Sequence, residues 1–377
     1  MTLKKKILAG SLAILAAAIV ALATALSYDA RCGAPAPVPQ VGPAMKAIVY
    51  RCYGPPAVLR LEDVAKPEPG DDQLLVKVHA AAANPLDWHY MRGEPYIMRL
   101  SSGLGRPAET RLGVDFAGTV EAVGKSVTRF KPGDAVFGGR TGAFAEYVLV
   151  REDRAVAHKP ANVSFEEAAA VPIAAVTALQ AVRDKGRVQP GQRVLVNGAS
   201  GGVGTYAVQI AKSLGAEVTG VSSTRNLALV RSLGADHVVD YTQENFTEGD
   251  RRYDVIIDNV GSHSLLAYRK VLAPDGIVVM VGSTSKGPWI GPLARPLSAL
   301  LLSPFASQEF EMLLAELNPA DLETLRQLLG SGQVRSVIDR RYALAKVPAA
   351  IAYLEEGRAR GKVVVNVFAE QEEPPAP

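Results

Sequence analysis

A β-branched run, Val194-Leu195-Val196-Asn197, enters the small-residue cluster Gly198-Ala199-Ser200-Gly201-Gly202-Val203-Gly204. Apolar residues then recur at helical spacing (Val203, Ala207, Ile210, Ala211, Leu214), which predicts a strand, a tight turn and a helix. Such a unit suits the binding of a dinucleotide pyrophosphate. Glycine lets the backbone approach the phosphates, and the helix N-terminus offers unpaired N–H groups at the positive end of its dipole. The same turn also serves as an ordinary strand-to-helix connection, so its surroundings decide. A second strand, Glu217-Val218-Thr219-Gly220-Val221, ends where an NAD-specific site carries Asp or Glu for the ribose 2′-hydroxyl. Here the chain reads Ser222-Ser223-Thr224-Arg225-Asn226. Hydroxyls and a guanidinium suit a 2′-phosphate, which a carboxylate repels, so Ser223 and Arg225 favour NADPH over NADH. The plain alternative for Arg225 is a charged residue opening a solvated helix.

These residues need a scaffold, and the pattern around them supplies one. To about Ser283, strands and helices alternate as in a parallel, doubly wound sheet. Asp254 to Gly261 and Gly276 to Ser283 are apolar runs ending in polar or glycine positions. Ligands in such sheets bind outside the carboxyl ends of the strands, where Asn259 and Gly282 would meet a nicotinamide ribose. From Met45, short strands separated by Gly and Pro turns predict an all-β module with few helices. Pro172 to Val182 is the helix expected to lead from it into the cofactor domain. Helices are expected at Glu309 to Leu317 and Pro319 to Ser331, then a strand at Lys362 to Phe368 that rejoins the β module. The expected division is an anchor or signal segment (1–30), a Pro/Ala-rich linker (31–44), a β-rich catalytic domain (45–172), a cofactor domain (173–305), a return to the catalytic domain (306–368) and a disordered tail (369–377).

A chain of 377 residues fits two domains of ordinary size. With 48% hydrophobic and 21% charged residues it is globular, and a net charge of +3 with no basic stripe argues against nucleic acid. Two cysteines, Cys32 and Cys52, exclude a disulfide framework and a four-cysteine zinc lobe; whether they pair is open. After Lys4-Lys5-Lys6, the twenty uncharged residues Ile7 to Leu26 are long enough to cross a bilayer as a single-pass anchor. The alternative is a signal peptide cleaved near Ala23-Thr24-Ala25, giving a secreted protein. The lysines predict a catalytic part outside the cytoplasm, whereas NADPH is a cytoplasmic reductant, so the side of the membrane stays open. Trp289 to Phe305, apolar and rich in proline, could roof the active site, pack in a dimer or touch the bilayer.

Further motifs carry a resemblance: Asn84-Pro85-Leu86-Asp87, Gly113-Val114-Asp115-Phe116-Ala117-Gly118, Lys131-Pro132-Gly133-Asp134, Leu233-Gly234-Ala235-Asp236 and Arg360-Gly361-Lys362-Val363-Val364. With the glycine turn, they make the chain resemble the medium-chain dehydrogenase/reductase superfamily from Met45 to Phe368. The likeness is to its zinc-free quinone oxidoreductase branch, with reticulon-interacting mitochondrial proteins and bacterial alcohol dehydrogenase-like proteins. It implies an α/β chain, a GroES-like β domain wrapped around a Rossmann doubly wound parallel sheet, with the N-terminal hydrophobic helix added here, and commonly a homodimer. It also implies Asn84, Asp87, His89 and Tyr90 as the polar residues beside the nicotinamide. Ser200, Gly201, Gly202 and Val203 would lie at the pyrophosphate and Tyr241 beside the 2′-phosphate, with Asn259 and Gly282 on the nicotinamide side. Thr177 and Lys362 are further cofactor contacts.

Zinc-dependent relatives ligate metal with a Cys in the first loop and a His-Glu pair after the following glycine. This chain has Asn84 and Gly113-Val114-Asp115 there, and its five histidines are scattered, so no metal site is expected. Alcohol oxidation lacks its Lewis acid. Hydride transfer from NADPH to a quinone or to the activated C=C of an enone is the expected reaction, with His89 or solvent giving the proton. The alternatives are an NADPH-binding sensor without turnover and an NAD(P)-dependent alcohol dehydrogenase.

Overall fold

Residues 3–34, 42–283, 287–289, 294–303 and 306–368 are described in the structure, a computed structural model. A helix α1 (Leu3–Ser27) precedes the β module. The module comprises β1 (Ala44–Val49), β2 (Arg60–Ala65), β3 (Gln73–Ala83), α2 (Pro85–Arg92), α3 (Arg99–Ser102), β4 (Asp115–Val123), β5 (Ala135–Gly139), β6 (Tyr147–Arg151) and β7 (Val156–His158). Strand β3 organises it. One edge pairs with β4 along its length, and the other is shared by β6 at Gln73 to Lys77 and by a late strand at Ala80 to Ala83. Its first part buries Leu74 to Val76 and Val78 between half-buried Gln73, Lys77 and His79, and gives way to the buried run Ala80 to Ala83. Small residues there let a second layer approach closely.

That layer starts with α4 (Phe165–Ala169) and α5 (Pro172–Leu179), whose buried alanines and valines pack both against β3 and against the next sheet. Then come β8 (Arg193–Asn197), α6 (Gly202–Ser213), β9 (Glu217–Ser222), α7 (Leu227–Ser232), β10 (His237–Asp240), β11 (Tyr253–Asp258), α8 (Leu265–Val271), β12 (Leu272–Met280), α9 (Ala294–Leu302) and β13 (Glu309–Met312). The six strands are all parallel, in the order β10-β9-β8-β11-β12-β13. Chain order reverses between β8 and β11, which opens a crevice at their carboxyl ends. The chain closes with α10 (Pro319–Gly330), β14 (Ile338–Ala343), α11 (Val347–Glu355) and β15 (Lys362–Asn366). Strand β15 is the late partner of β3.

Two expectations are corrected. The segment Glu309 to Leu317 is not a helix: its first four residues form β13, paired in parallel with β12 from Ile277 to Met280. The ladder of an existing sheet satisfies the backbone of so short a segment, which overrides its helical spacing. The membrane anchor, and with it the single-pass localisation, is also overturned, because among the described residues no helix is long and apolar enough to cross a membrane. The end of the apolar stretch is used inside the protein instead. Leu26 is buried, and Ala30 N–H donates to the Gly105 carbonyl at 2.8 Å. Cys32 and Cys52 are joined in a disulfide. Most of the expected linker (35–41) and the expected tail (369–377) lie outside the described residues.

Candidate active site

The glycine turn delivers α6 from the end of β8 in four residues. At Gly204 a Cβ would lie 2.0 Å from the Gly198 carbonyl oxygen, so only glycine allows this crossing. Gly201 caps α6, and Cβ atoms at Gly201 and Gly202 would meet nothing nearer than 3.3 Å. The helix N-terminus is therefore an open cradle of N–H groups. Val203, the next residue, packs partly into the core. Ser200 Oγ accepts from Asn226 Nδ2 at 3.0 Å, and the same amide reaches Ser223 Oγ at 3.3 Å. Asn226, which sequence reasoning missed, thus ties the turn to the end of β9. Arg225 donates to the Arg358 carbonyl at 3.0 Å, and Tyr241, 60% exposed, follows β10 with its N–H on the Ser222 carbonyl. Ser223, Arg225 and Tyr241 therefore gather at the ends of β9 and β10.

At the ends of β11 and β12, Asn259 donates from both its backbone N–H and its Nδ2 to the Asn197 carbonyl. Its Oδ1 is buried with no partner among the described residues. A Cβ at Gly282 would sit 2.0 Å from the Asn259 carbonyl oxygen, so glycine is what lets the two strand ends meet. Beneath them Asp258, fully buried, accepts from Asn197 Nδ2 at 2.8 Å and faces Arg295 of α9 at 2.6 Å. That ion pair was not legible in the sequence, because one arginine in an apolar segment looks like any surface arginine. Of the segment Trp289 to Phe305, Ile290 to Leu293, Pro304 and Phe305 lie outside the described residues. Trp289 meets Tyr96 edge-on at 4.8 Å.

On the facing side, Asn84 ends β3 and opens α2. Its backbone N–H donates to Asp87 Oδ2 at 2.8 Å, and its Nδ2 donates to Asp115 Oδ2 at 2.9 Å and to the Ala82 carbonyl at 3.3 Å. Lys362 Nζ donates to Asn84 Oδ1 and lies 3.2 Å from Asp115 Oδ2. Asp115 Oδ1 accepts the Ile173 N–H at 2.9 Å. This cluster is buried: Asn84 is 2% exposed, Asp87 1%, Asp115 0% and Lys362 3%. The Lys362 stem also runs beside Gly202, 3.3 Å from where its Cβ would stand. One side chain therefore touches both the glycine turn and Asn84 at the start of α2. Thr177 turns its hydroxyl to the Ile173 carbonyl at 2.7 Å, inside its own helix.

Electrostatics separates these groups. Burial pushes the Asp87 carboxyl up to about 7, reinforced by Asp115 and opposed by the Asn84 N–H and Lys362. Burial also raises Asp115, against the pull of Lys362 and Asn84. His89 is pulled below the ordinary imidazole value by burial. Its Nδ1 lies 2.7 Å from the Glu94 carbonyl oxygen, which only accepts. Nδ1 therefore carries the hydrogen, and the neutral ring leaves Nε2 as an acceptor. The donor set does not fit a tetrahedral zinc. Asn84 and Asp115 are engaged by the Lys362 ammonium, which would repel a cation. Among the described residues no group of three His, Cys, Asp or Glu is placed to hold a metal.

The sequence matches the family model of the alcohol dehydrogenase GroES-like domain over residues 70–161 and that of the zinc-binding dehydrogenases over residues 233–365. It is 37% identical over 337 residues to the 2-methylene-furan-3-one reductase of Solanum lycopersicum, covering 85% of this chain and 79% of that protein. With the chloroplastic NADPH-dependent alkenal/one oxidoreductase of Arabidopsis thaliana it shares 35% identity over 340 residues, covering 85% and 79%. Among solved structures, the quinone oxidoreductase from Coxiella burnetii superposes with a TM-score of 0.76 at 33% identity, over 86% of this chain and 100% of that one.

Proposed function

The chain belongs to the medium-chain dehydrogenase/reductase superfamily, and on that premise we propose that it is a zinc-independent, NADPH-dependent reductase of quinones or α,β-unsaturated carbonyl compounds. The observation that carries this reading is Lys362, which joins the glycine turn to the Asn84–Asp87–Asp115 cluster. Ser200, Gly201, Gly202 and Val203 hold the pyrophosphate at the start of α6. Ser223, Arg225 and Tyr241 take the 2′-phosphate, while Asn259 and Gly282 border the nicotinamide ribose and Thr177 the nicotinamide. Bound NADPH supplies a hydride to the β-carbon of an activated alkene or to a quinone.

The protein's own part is to orient and to exclude water. Asn84 has no free amide hydrogen, since both acceptors and its own oxygen are taken within the cluster, so it positions α2. Asp87 does the same from the first turn of that helix. His89 is neutral and offers Nε2 as an acceptor, so the proton that completes the reduction comes from solvent. A homodimer belongs to the same proposal; β13 ends the six-stranded sheet and leaves an edge for a second copy. Light scattering tests it. The reaction is tested by following NADPH and NADH oxidation with a panel of enones, quinones and alcohols. Turnover of an enone or quinone with NADPH preferred supports the reductase. Tight NADPH binding with no turnover makes the protein a sensor.

A further inference from the structure

Arg99 is among the largest fully buried side chains of the protein, 1% exposed, and a buried guanidinium is tolerated only when its hydrogens are met. Its Nε donates to the Gly93 carbonyl at 2.8 Å and Nη2 to that of Arg92 at 3.3 Å. Nη1 donates to the carbonyls of Leu26 at 2.9 Å and Tyr28 at 3.2 Å, and lies 2.9 Å from the Asp29 carboxylate. The rings of Tyr53 and Tyr96 cover its faces at 4.4 and 4.5 Å. Half of this shell is the last turn of α1 and the stretch that follows it, and the other half is the C-terminal cap of α2. The stretch is fastened again at Cys32, whose disulfide partner Cys52 is buried beside Tyr53.

The connections continue to the substrate side. Gly93 caps the helix that carries Asp87 and His89. Tyr96 donates its N–H to the Pro288 carbonyl at 2.8 Å and packs on Trp289 across the cleft. Residues 26–32 lie outside both family matches, at 70–161 and 233–365, so the arm is not part of the matched domains, although the loop it meets is.

We propose that the arm from Leu26 to Cys32 braces the substrate-side loop 93–99, with Arg99 as the positioning residue that transmits it. Without the arm, Nη1 loses two carbonyls and a carboxylate, and Arg99 no longer fixes the Gly93 turn or Tyr96. Cofactor binding, whose residues all lie outside the loop 93–99, is untouched. The kinetic part rests on the reductase reading; the structural part does not.

The experiment uses the full chain as wild type, Arg99→Lys, and the double variant Asp29→Asn/Cys32→Ser, whose two sites are exposed. Amide hydrogen exchange over residues 93–99, NADPH affinity, and kcat and KM for an enone are measured on the same preparations. Arg99→Lys, which keeps the charge but not the fork, is expected to speed exchange in the loop and lower kcat/KM for the acceptor by about tenfold, with NADPH affinity within about twofold. The double variant moves both readouts the same way by less, and it decides the matter if Arg99→Lys does not fold. Unchanged exchange over 93–99 with unchanged acceptor kinetics overturns the brace. So does a loss of NADPH affinity that matches the loss in kcat/KM. A wild type that turns over no acceptor refutes the reductase reading alone, and the exchange data still decide the brace.

Discussion

The two walls of the cleft are built by different means. The cofactor wall is mostly backbone: glycines at 204 and 282 let strand ends and a helix N-terminus come close, those at 201 and 202 leave that N-terminus open, and side chains such as Asn226 and Asn259 tie neighbouring strand ends together. The facing wall depends on side chains whose partners lie far apart in the chain: Asn84, Asp115 and Lys362 in one cluster, and in another the Arg99 guanidinium, held by the carbonyls of Leu26 and Gly93. Backbone geometry is set by residue types at adjacent positions, whereas a buried polar cluster is set by tertiary contact. The cofactor wall should therefore fail abruptly when one atom is added, and the facing wall should fail by degrees and be rescued in pairs.

The largest effect is expected at Gly204. Gly204→Ala puts a methyl group against the Gly198 carbonyl, and the turn cannot yield without moving α6. A loss above about 4 kcal/mol in urea unfolding is expected, and a small loss would show that the crossing is not tight. Next is Lys362→Met, which leaves Asp115 buried without its cation. It should cost about 3–5 kcal/mol, most of it regained in Lys362→Met/Asp115→Leu. Absence of rescue would mean that the pair is not a unit.

Arg225→Ala is a finer cut, confined to one exposed side chain. If its guanidinium meets the 2′-phosphate, preference for NADPH over NADH falls by about 1.5–3 kcal/mol, read from the two dissociation constants. Asp87 gives a pH test. Its folded-state value, raised to about 7, lies above the unfolded value near ~4. The stability it contributes is full below about pH 4 and is lost as pH rises through about 7. The stability of the wild type should fall between about pH 5 and about pH 8 more steeply than that of Asp87→Asn, read from urea unfolding at each pH. His89→Asn is expected to do least, lowering kcat by about threefold at most. A loss of about 100-fold or more would return the proton to His89.

The same contrast explains what the sequence made legible. The unit from Val194 to Leu214 was readable because turn, cap and helix period lie within one short window. Strand β13 was misread as a helix because the stretch from Glu309 to Leu317 carries helical spacing, and only pairing with β12 decides its first four residues. Asn84, Asp87 and Lys362 stood out by motif, but not that they touch. Nothing local marks Arg99 or Arg295 as buried. The stretch Ile7 to Leu26 was read by its hydropathy alone, while the docking of Leu26 depends on residues more than seventy positions away.

The bond between Asn84 and Lys362 joins residues 278 positions apart in the chain. Ribosomes add roughly 5–20 residues per second, so Asn84 waits roughly 15–60 s for its partner to be synthesised. Until β15 is released, β3 has an open edge and Asp115 an unanswered charge. A nascent chain can thus complete its parallel sheet early, yet the Asn84–Asp115–Lys362 cluster closes only as synthesis ends, and that interval is when the protein most needs shelter from its neighbours.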